Sequence, residues 1–245
     1  MKLVKPDHET RYEVPGVPGL VRKPVNLDGA ELGFTKLRSL RLYQFEAGTV
    51  INGHAEQDEV FVIVTAGSVE MKIGYSDEAV DRFGTFTLSA PGFANEDDPF
   101  VAYLPPHSVY RMTPHTDADV FYARATPSEV REPAVFRANT PGSPGPVNTL
   151  FGDNSHAERL RLKVLSVAPS GADVTLQMVN PADVACEVVV HVQGTPAAKV
   201  ATLQDSKANA LNLASWDTVA LSPREHPVLT VEQGGAVTIV AVLAC

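Results

Sequence analysis

The sequence predicts an all-β chain folded as two tandem β-barrel domains. Three observations carry that prediction. Short segments with period-2 alternation follow one another at regular spacing, separated by glycine, proline and aspartate turns, as in a sandwich or barrel. No segment of the first half has the 3.6-residue periodicity of a long amphipathic helix. The order of elements in the first half also returns in the second, after a proline-rich stretch.

Composition supports a real core and narrows the partners. The chain has 245 residues, 44% of them hydrophobic, and a formal net charge of −9. That acidity, with no run of lysine or arginine, argues against a nucleic-acid surface, which needs a basic stripe. The apolar runs fall far short of the roughly 20 residues of a membrane span. The N-terminus, MKLVKPDHETRYEV, lacks the apolar region of a secretory signal, so a cytoplasmic protein is expected. Two cysteines, Cys186 and Cys245, are too few for a disulfide framework, and free cytosolic thiols are the simpler reading.

Residues 1–30 hold Pro6, Pro15, Pro18 and Pro24 without sustained periodicity and read as an N-terminal arm with at most a short edge strand. Such an arm, together with barrel edges, makes a homodimer the expected assembly. The first barrel is assigned to residues 31–126. Its opening strand, Arg38 to Glu46, alternates, with Leu40 and Leu42 facing one way and Arg41, Tyr43 and Phe45 the other. Glu59 to Thr65 is β-branched and aromatic, a buried strand. Ser68 to Ile73 alternates again and ends in a turn at Gly74 to Asp77. Phe83 to Ser89 is a further strand and Ala90 to Pro99 a polar loop. Phe100 to Leu104, Val109 to Met112 and Ala118 to Arg124 complete the domain.

Residues 127–147 carry five prolines and two glycines and read as a linker, because proline removes a ladder donor and fixes φ. Residues 148–245 form the second barrel. Arg159 to Leu165 and Asp173 to Met178 alternate cleanly. Glu187 to Gly194 echoes Glu59 to Gly67, Trp216 to Arg224 echoes Phe100 to His107, and Gly235 to Leu243 echoes Asp117 to Ala125. A shorter surface loop in the second half accounts for the difference in spacing, and loops tolerate such changes.

Two stretches concentrate polar side chains at a barrel mouth. Gly48 to Gly67 holds His54, Glu56 and Glu59, and Ala102 to Arg124 holds His107 and Tyr110. His54 and Glu56 are two apart and share a strand face, whereas Glu59 has opposite parity and needs a bend near Gln57 and Asp58 to join them. His54, Glu56, Glu59 and Tyr110 could form a mixed nitrogen and oxygen site for a divalent transition metal of unknown identity. The alternative is a polar loop with no ion. Tyr110 has two readings, a cavity hydroxyl or a core ring. His107, after Pro105 and Pro106, is a ligand contact or a turn residue. In the second barrel, Glu187 and His226 are the candidates for ligand binding, and His191 reads as a core or cavity residue.

These stretches resemble the two motifs of the cupin family. The first motif has the form G-x5-H-x-H-x3,4-E-x6-G, and Gly48, five residues and His54 match its opening. The second has the form G-x5-P-x-G-x2-H-x3-N, and Pro105-Pro106-His107-Ser108-Val109-Tyr110 falls on it. Glu56 replaces the second histidine, His107 falls near the motif glycine and Tyr110 takes the place of its histidine. The resemblance implies a jelly-roll-like fold, here a bicupin with a degenerate second barrel. Over roughly residues 38–243 the chain also resembles the 5-deoxy-glucuronate and 4-deoxy-uronate isomerases. Their metal set includes an His-x-His in the second domain, and the corresponding stretch here, Val179 to Glu187, has none.

Three functional classes follow. The first is an isomerase acting on a small uronic-acid-like sugar in carbohydrate catabolism, with Glu56 or Glu59 as the base. The second is a non-catalytic cupin that binds a carbohydrate and has lost the family's metal site. The third is a structural protein with filled barrels. A polar cavity around His54 and Tyr110 would favour the first two, and Phe45, Phe61 and Met71 filling it would favour the third.

Overall fold

Alternation of β-branched and aromatic residues with polar ones builds strands along the whole chain of the computed structural model. It describes residues 1–92, 97–139, 147–151, 156–177, 185–194, 201–204, 209–223, 225, 228–232 and 236–245. In the first half the strands are β1 (Lys2–Val4), β2 (Arg11–Glu13), β3 (Leu20–Asp28), β4 (Leu37–Phe45), β5 (Ile51–His54), β6 (Glu59–Ala66) and β7 (Ser68–Gly74). They continue as β8 (Gly84–Ser89), β9 (Pro99–Leu104), β10 (Val109–Pro114), β11 (Ala118–Ala125) and β12 (Ala134–Arg137). The second half contributes β13 (Val147–Phe151), β14 (Leu160–Val167), β15 (Val174–Gln177), β16 (Glu187–Gly194) and β17 (Ala201–Gln204). It ends with β18 (Ala210–Leu213), β19 (Thr218–Leu221), β20 (Val228–Val231) and β21 (Val237–Ala244).

The chain divides into two units. The first comprises Asp7–Ala138 with Ser155–Leu160, and the second Met1–Pro6, Asn139–Asn154 and Arg161–Cys245. Each is a pair of antiparallel sheets. The first has a seven-stranded sheet, β12-β9-β6-β11-β4-β3-β2, and a four-stranded sheet, β5-β10-β7-β8. The second has β1-β19-β16-β21-β14-β13 and β15-β20-β17-β18. The two orders superimpose strand for strand except that β2 has no counterpart. β6 and β16 share the same burial pattern along all their residues. The expected repeat is therefore present as topology. Each unit is a jelly-roll-like sandwich in which the sheets remain separate among the described residues.

In each unit one apolar core fills the space between its sheets. Val60, Val62 and Val64 of β6, Met71 and Ile73 of β7 and Met112 of β10 meet in the first. Val188, Val190 and Val192 of β16, Leu203, Leu229 and Ile239 meet in the second. Phe61 has the opposite parity to Val60 and Val62 and packs edge-on against Tyr103, with ring centroids 5.7 Å apart. It does not enter the space between the sheets.

Four sequence readings differ from the structure. Residues 1–30 hold three strands. β1 pairs with β19 in the second unit, and β2 and β3 extend the large sheet of the first. Pro24 concealed β3, because its missing N–H coincides with a break in register between Arg22 and Val25. The polar run after Gly48 contains β5, which pairs with β10. The cysteines are not free thiols: Cys186 and Cys245 form a disulfide beside the Glu187–Ala244 pair of β16 and β21. Within the proline-rich stretch, β12 is an edge strand of the large sheet, where proline-flanked segments are tolerated. No helix among the described residues is long and apolar enough to cross a membrane.

Candidate functional site

At one end of the first sandwich the apolar filling gives way to a cavity of about 410 Å³. Strand parity explains its floor. Arg41, Tyr43 and Phe45 follow one another at every second position of β4 and all face it. On β11, Tyr122 lies directly opposite Arg41 and Arg124 opposite Ser39, so the same face of both strands lines the floor. Asn52, Gly53 and His54 of β5 and Tyr110 of β10 form a wall. The β2–β3 hairpin loop lines the cavity with Val14 to Val17. It is held by the Asn52 N–H donating to the Gly16 carbonyl at 2.8 Å. Gly16 has φ +78°, and a Cβ there would lie 1.8 Å from the Asn52 carbonyl oxygen, so this close crossing requires glycine.

Small residues make room at this end. Tyr110 lies over Gly53, where an added Cβ would be 2.2 Å from the tyrosine Cζ and 2.3 Å from its hydroxyl. Gly53→Ala is therefore expected to expel the Tyr110 ring, to cost about 1–3 kcal/mol and to collapse the cavity. Thermal melting and ligand titration of the variant check this.

Three tyrosines form one cluster. Tyr43 and Tyr122 meet edge to face at 5.3 Å and Tyr122 stacks with Tyr110 at 6.1 Å. Burial pushes the Tyr110 phenol up to about 12, with the Tyr122 hydrogen bond and the Arg124 guanidinium acting in the opposite direction. Burial likewise pushes Tyr122 well above the usual tyrosine value. Both hydroxyls thus remain protonated donors at neutral pH. An unfolded tyrosine ionises near pH 10. The raised values therefore stabilise the fold fully below about pH 10, and that contribution is lost as pH rises through about 12. Absorbance at 295 nm should show part of the tyrosine signal resisting ionisation at pH 11 in the folded protein, and Tyr110→Phe should reduce that part.

The two arginines of the floor differ in their partners. Arg124 donates to the His54 carbonyl and lies 3.8 Å from Glu56 Oε2 and 3.9 Å from Asp58 Oδ2. Asp58 is buried and also accepts from Arg38 Nη1 at 3.3 Å and Thr126 Oγ1 at 2.9 Å. Arg41 has a buried Nε with no hydrogen-bond partner among the described residues. Its effect reaches Lys23, whose ammonium pKa is lowered first by burial and then by the Arg41 charge.

The structure brings His54, Glu56 and Tyr110 to this one cavity. His54 and Glu56 stand at its rim, with side chains 53% and 68% exposed. His54 Nε2 lies 3.7 Å from Asp77 Oδ1. Glu59 is elsewhere. Its carboxylate is fully buried and accepts the backbone N–H groups of Glu158 (2.9 Å), Arg159 (2.8 Å) and Leu160 (2.7 Å), with the Tyr103 hydroxyl at 3.3 Å. His107 is an exposed turn residue at φ 65° whose N–H donates to the Glu56 carbonyl. Glu187 is buried at the start of β16, the position that Glu59 holds in the other unit. His226 lies outside the described residues. With Glu59 turned away and the Tyr110 phenol kept protonated by burial, only His54 and Glu56 of the set His54, Glu56, Glu59 and Tyr110 offer ready ligands at the cavity, short of the three protein groups that a divalent transition metal needs. No group of three or more histidine, cysteine, aspartate or glutamate side chains suited to a metal occurs among the described residues.

Sequence reasoning missed Arg41, Arg124, Tyr43, Tyr122 and the Val14–Val17 loop as parts of the site. The signal for Arg41 was present: a charged residue on the same strand face as Tyr43 and Phe45.

The paired sheets, their order and the cavity between them define a cupin-fold protein, duplicated within one chain. Residues 25–143 match the model of the KduI/IolB family. That range includes every cavity residue named above except the Val14–Val17 loop. No curated protein sequence matches the chain. Among solved structures, an IolB-like protein from Salmonella typhimurium LT2 is similar with TM-score 0.71 and 14% identity, over 99% of this chain and 92% of that one. YlbA from E. coli is similar with TM-score 0.69 and 16% identity, over 99% and 90%. The bacterial pirin YhhW from Escherichia coli, solved in complex with nickel(II), has TM-score 0.58 and 12% identity over 98% and 97%. At these identities the likeness concerns the fold.

Proposed function

We propose that this chain binds a small sugar acid in the cavity of its first unit. One observation carries the reading: that cavity, at the mouth of a cupin sandwich, presents hydroxyl, amide and guanidinium donors on aromatic walls. Sugars are recognised by such a combination, with polar groups fixing orientation and ring faces excluding water. The match of residues 25–143 to the KduI/IolB family supports a sugar acid over other polyols. Calorimetric titration with glucuronate, galacturonate and uncharged glucose tests it. Both uronates should bind, and glucose should bind at least about tenfold more weakly. No heat with either uronate would overturn the reading.

An isomerase activity is the second reading, favoured by the Glu56 carboxylate at the cavity rim. An aldose–ketose isomerisation moves a proton between adjacent carbons, and a carboxylate is a competent base for it. The test is NMR of glucuronate incubated with the protein and with Glu56→Gln. Conversion to the ketose that the variant loses would support catalysis, and no conversion by the native protein would leave binding alone.

A further inference from the structure

Arg41 is an anomaly in the interior of a sandwich. Its strand neighbours of the same parity, Tyr43 and Phe45, belong to the apolar core. The carboxylates at this end of the unit, Glu56 and Asp58, pair with Arg124 and Arg38. Arg41 is left with a buried Nε that has no hydrogen-bond partner among the described residues, and its charge acts on another cation, Lys23. Arg41 is half-buried, and a guanidinium drawn partly out of water without a counter-charge is unfavourable. Arg41 lines the cavity, which has room for such a charge. The fork of a guanidinium matches the two oxygens of a carboxylate.

We infer that Arg41 is the carboxylate-recognition residue of the cavity, seating the acid group of the ligand on the floor beside Tyr43 and Tyr122 with its opposite end toward the rim. The inference rests on the sugar-acid reading and gives it a direction. In a hexuronate the acid group and the carbonyl group are at opposite ends of the carbon chain. With the acid held at Arg41, the carbonyl end reaches His54 and Glu56, the two exposed side chains of the rim. The anchor reads the carboxylate alone, so an aldonate such as gluconate should also bind, and the methyl ester of glucuronate should not.

The experiment is calorimetric titration of the full chain and of Arg41→Gln and Arg41→Lys with glucuronate, its methyl ester and glucose, with thermal melts of the unliganded proteins. For a hydrogen bond to a charged group, the expected loss for Arg41→Gln is about 10- to 100-fold in glucuronate affinity. Arg41→Gln should also lose the discrimination between glucuronate and glucose. Arg41→Lys should retain part of the affinity. Arg41→Gln should melt no lower than the native protein, because it removes an unpaired charge, and that result separates recognition from a structural role. Native-like glucuronate affinity in Arg41→Gln would overturn the inference while leaving the sugar-acid reading intact. A native protein that binds neither glucuronate nor galacturonate would overturn both.

Discussion

Glu59→Ala is expected to destabilise the first unit by about 4 kcal/mol. The carboxylate is fully buried and accepts three successive backbone N–H groups, those of Glu158, Arg159 and Leu160. Alanine would leave these donors without an acceptor, and each unsatisfied buried donor costs about 1–3 kcal/mol, less where water can enter. For a domain of this size the melting temperature should fall by on the order of 10 °C. Glu59→Gln should also be costly, because its amide NH2 would face backbone donors instead of accepting from them. Calorimetry measures the loss, and amide exchange at residues 158–160 localises it. A Glu59→Ala protein melting within a degree or two of the native one, with those amides still protected, would contradict the assignment of Glu59 as a structural carboxylate.

Reduction of the Cys186–Cys245 disulfide should lower the stability of the second unit by about 2–4 kcal/mol. The bond joins residues 59 apart in sequence and ties the chain end to the start of β16. Cutting it returns conformational freedom to the unfolded chain, and the long loop makes that gain large. Cys186 is buried in the core of the second sandwich and Cys245 packs against it, so Cys245→Ser also places a polar group there. Melting with and without reductant checks the effect. An unchanged melting temperature under reducing conditions would show that the β16–β21 ladder alone holds this corner.

Much of the fold was legible because period-2 alternation is a local signal. In β4 it separated Leu40 and Leu42 from Arg41, Tyr43 and Phe45, and the structure keeps that division. The glycine turns and the echo of Glu59–Gly67 in Glu187–Gly194 gave the repeat. What escaped depended on pairing between distant segments. β1 is three residues long, and only its partner β19 makes it a strand. β3 was concealed by Pro24, and the disulfide by the distance along the chain between its cysteines.

The site was harder to read for a physical reason. A glutamate opening a buried strand looks the same in sequence whether it faces a cavity or accepts backbone donors from a segment a hundred residues away. Glu59 does the second. His54 ends β5 and Glu56 lies in the turn after it at φ 58°, so the two share the cavity rim without sharing the strand face that two-residue spacing alone suggests. Arg41 drew no attention because an arginine in an alternating strand ordinarily faces water. The three-dimensional arrangement, which pairs Glu56 and Asp58 with other arginines and leaves the Arg41 Nε without a hydrogen-bond partner among the described residues, is what singles it out.

The most direct test is a crystal structure of the full chain grown with saturating glucuronate. The expected result is sugar density in the cavity of the first unit, with the carboxylate on the Arg41 guanidinium and the far end of the sugar near Glu56. Sugar bound only in the second unit, or a water-filled first cavity with Arg41 unchanged, would contradict the assignment of this cavity as the ligand site.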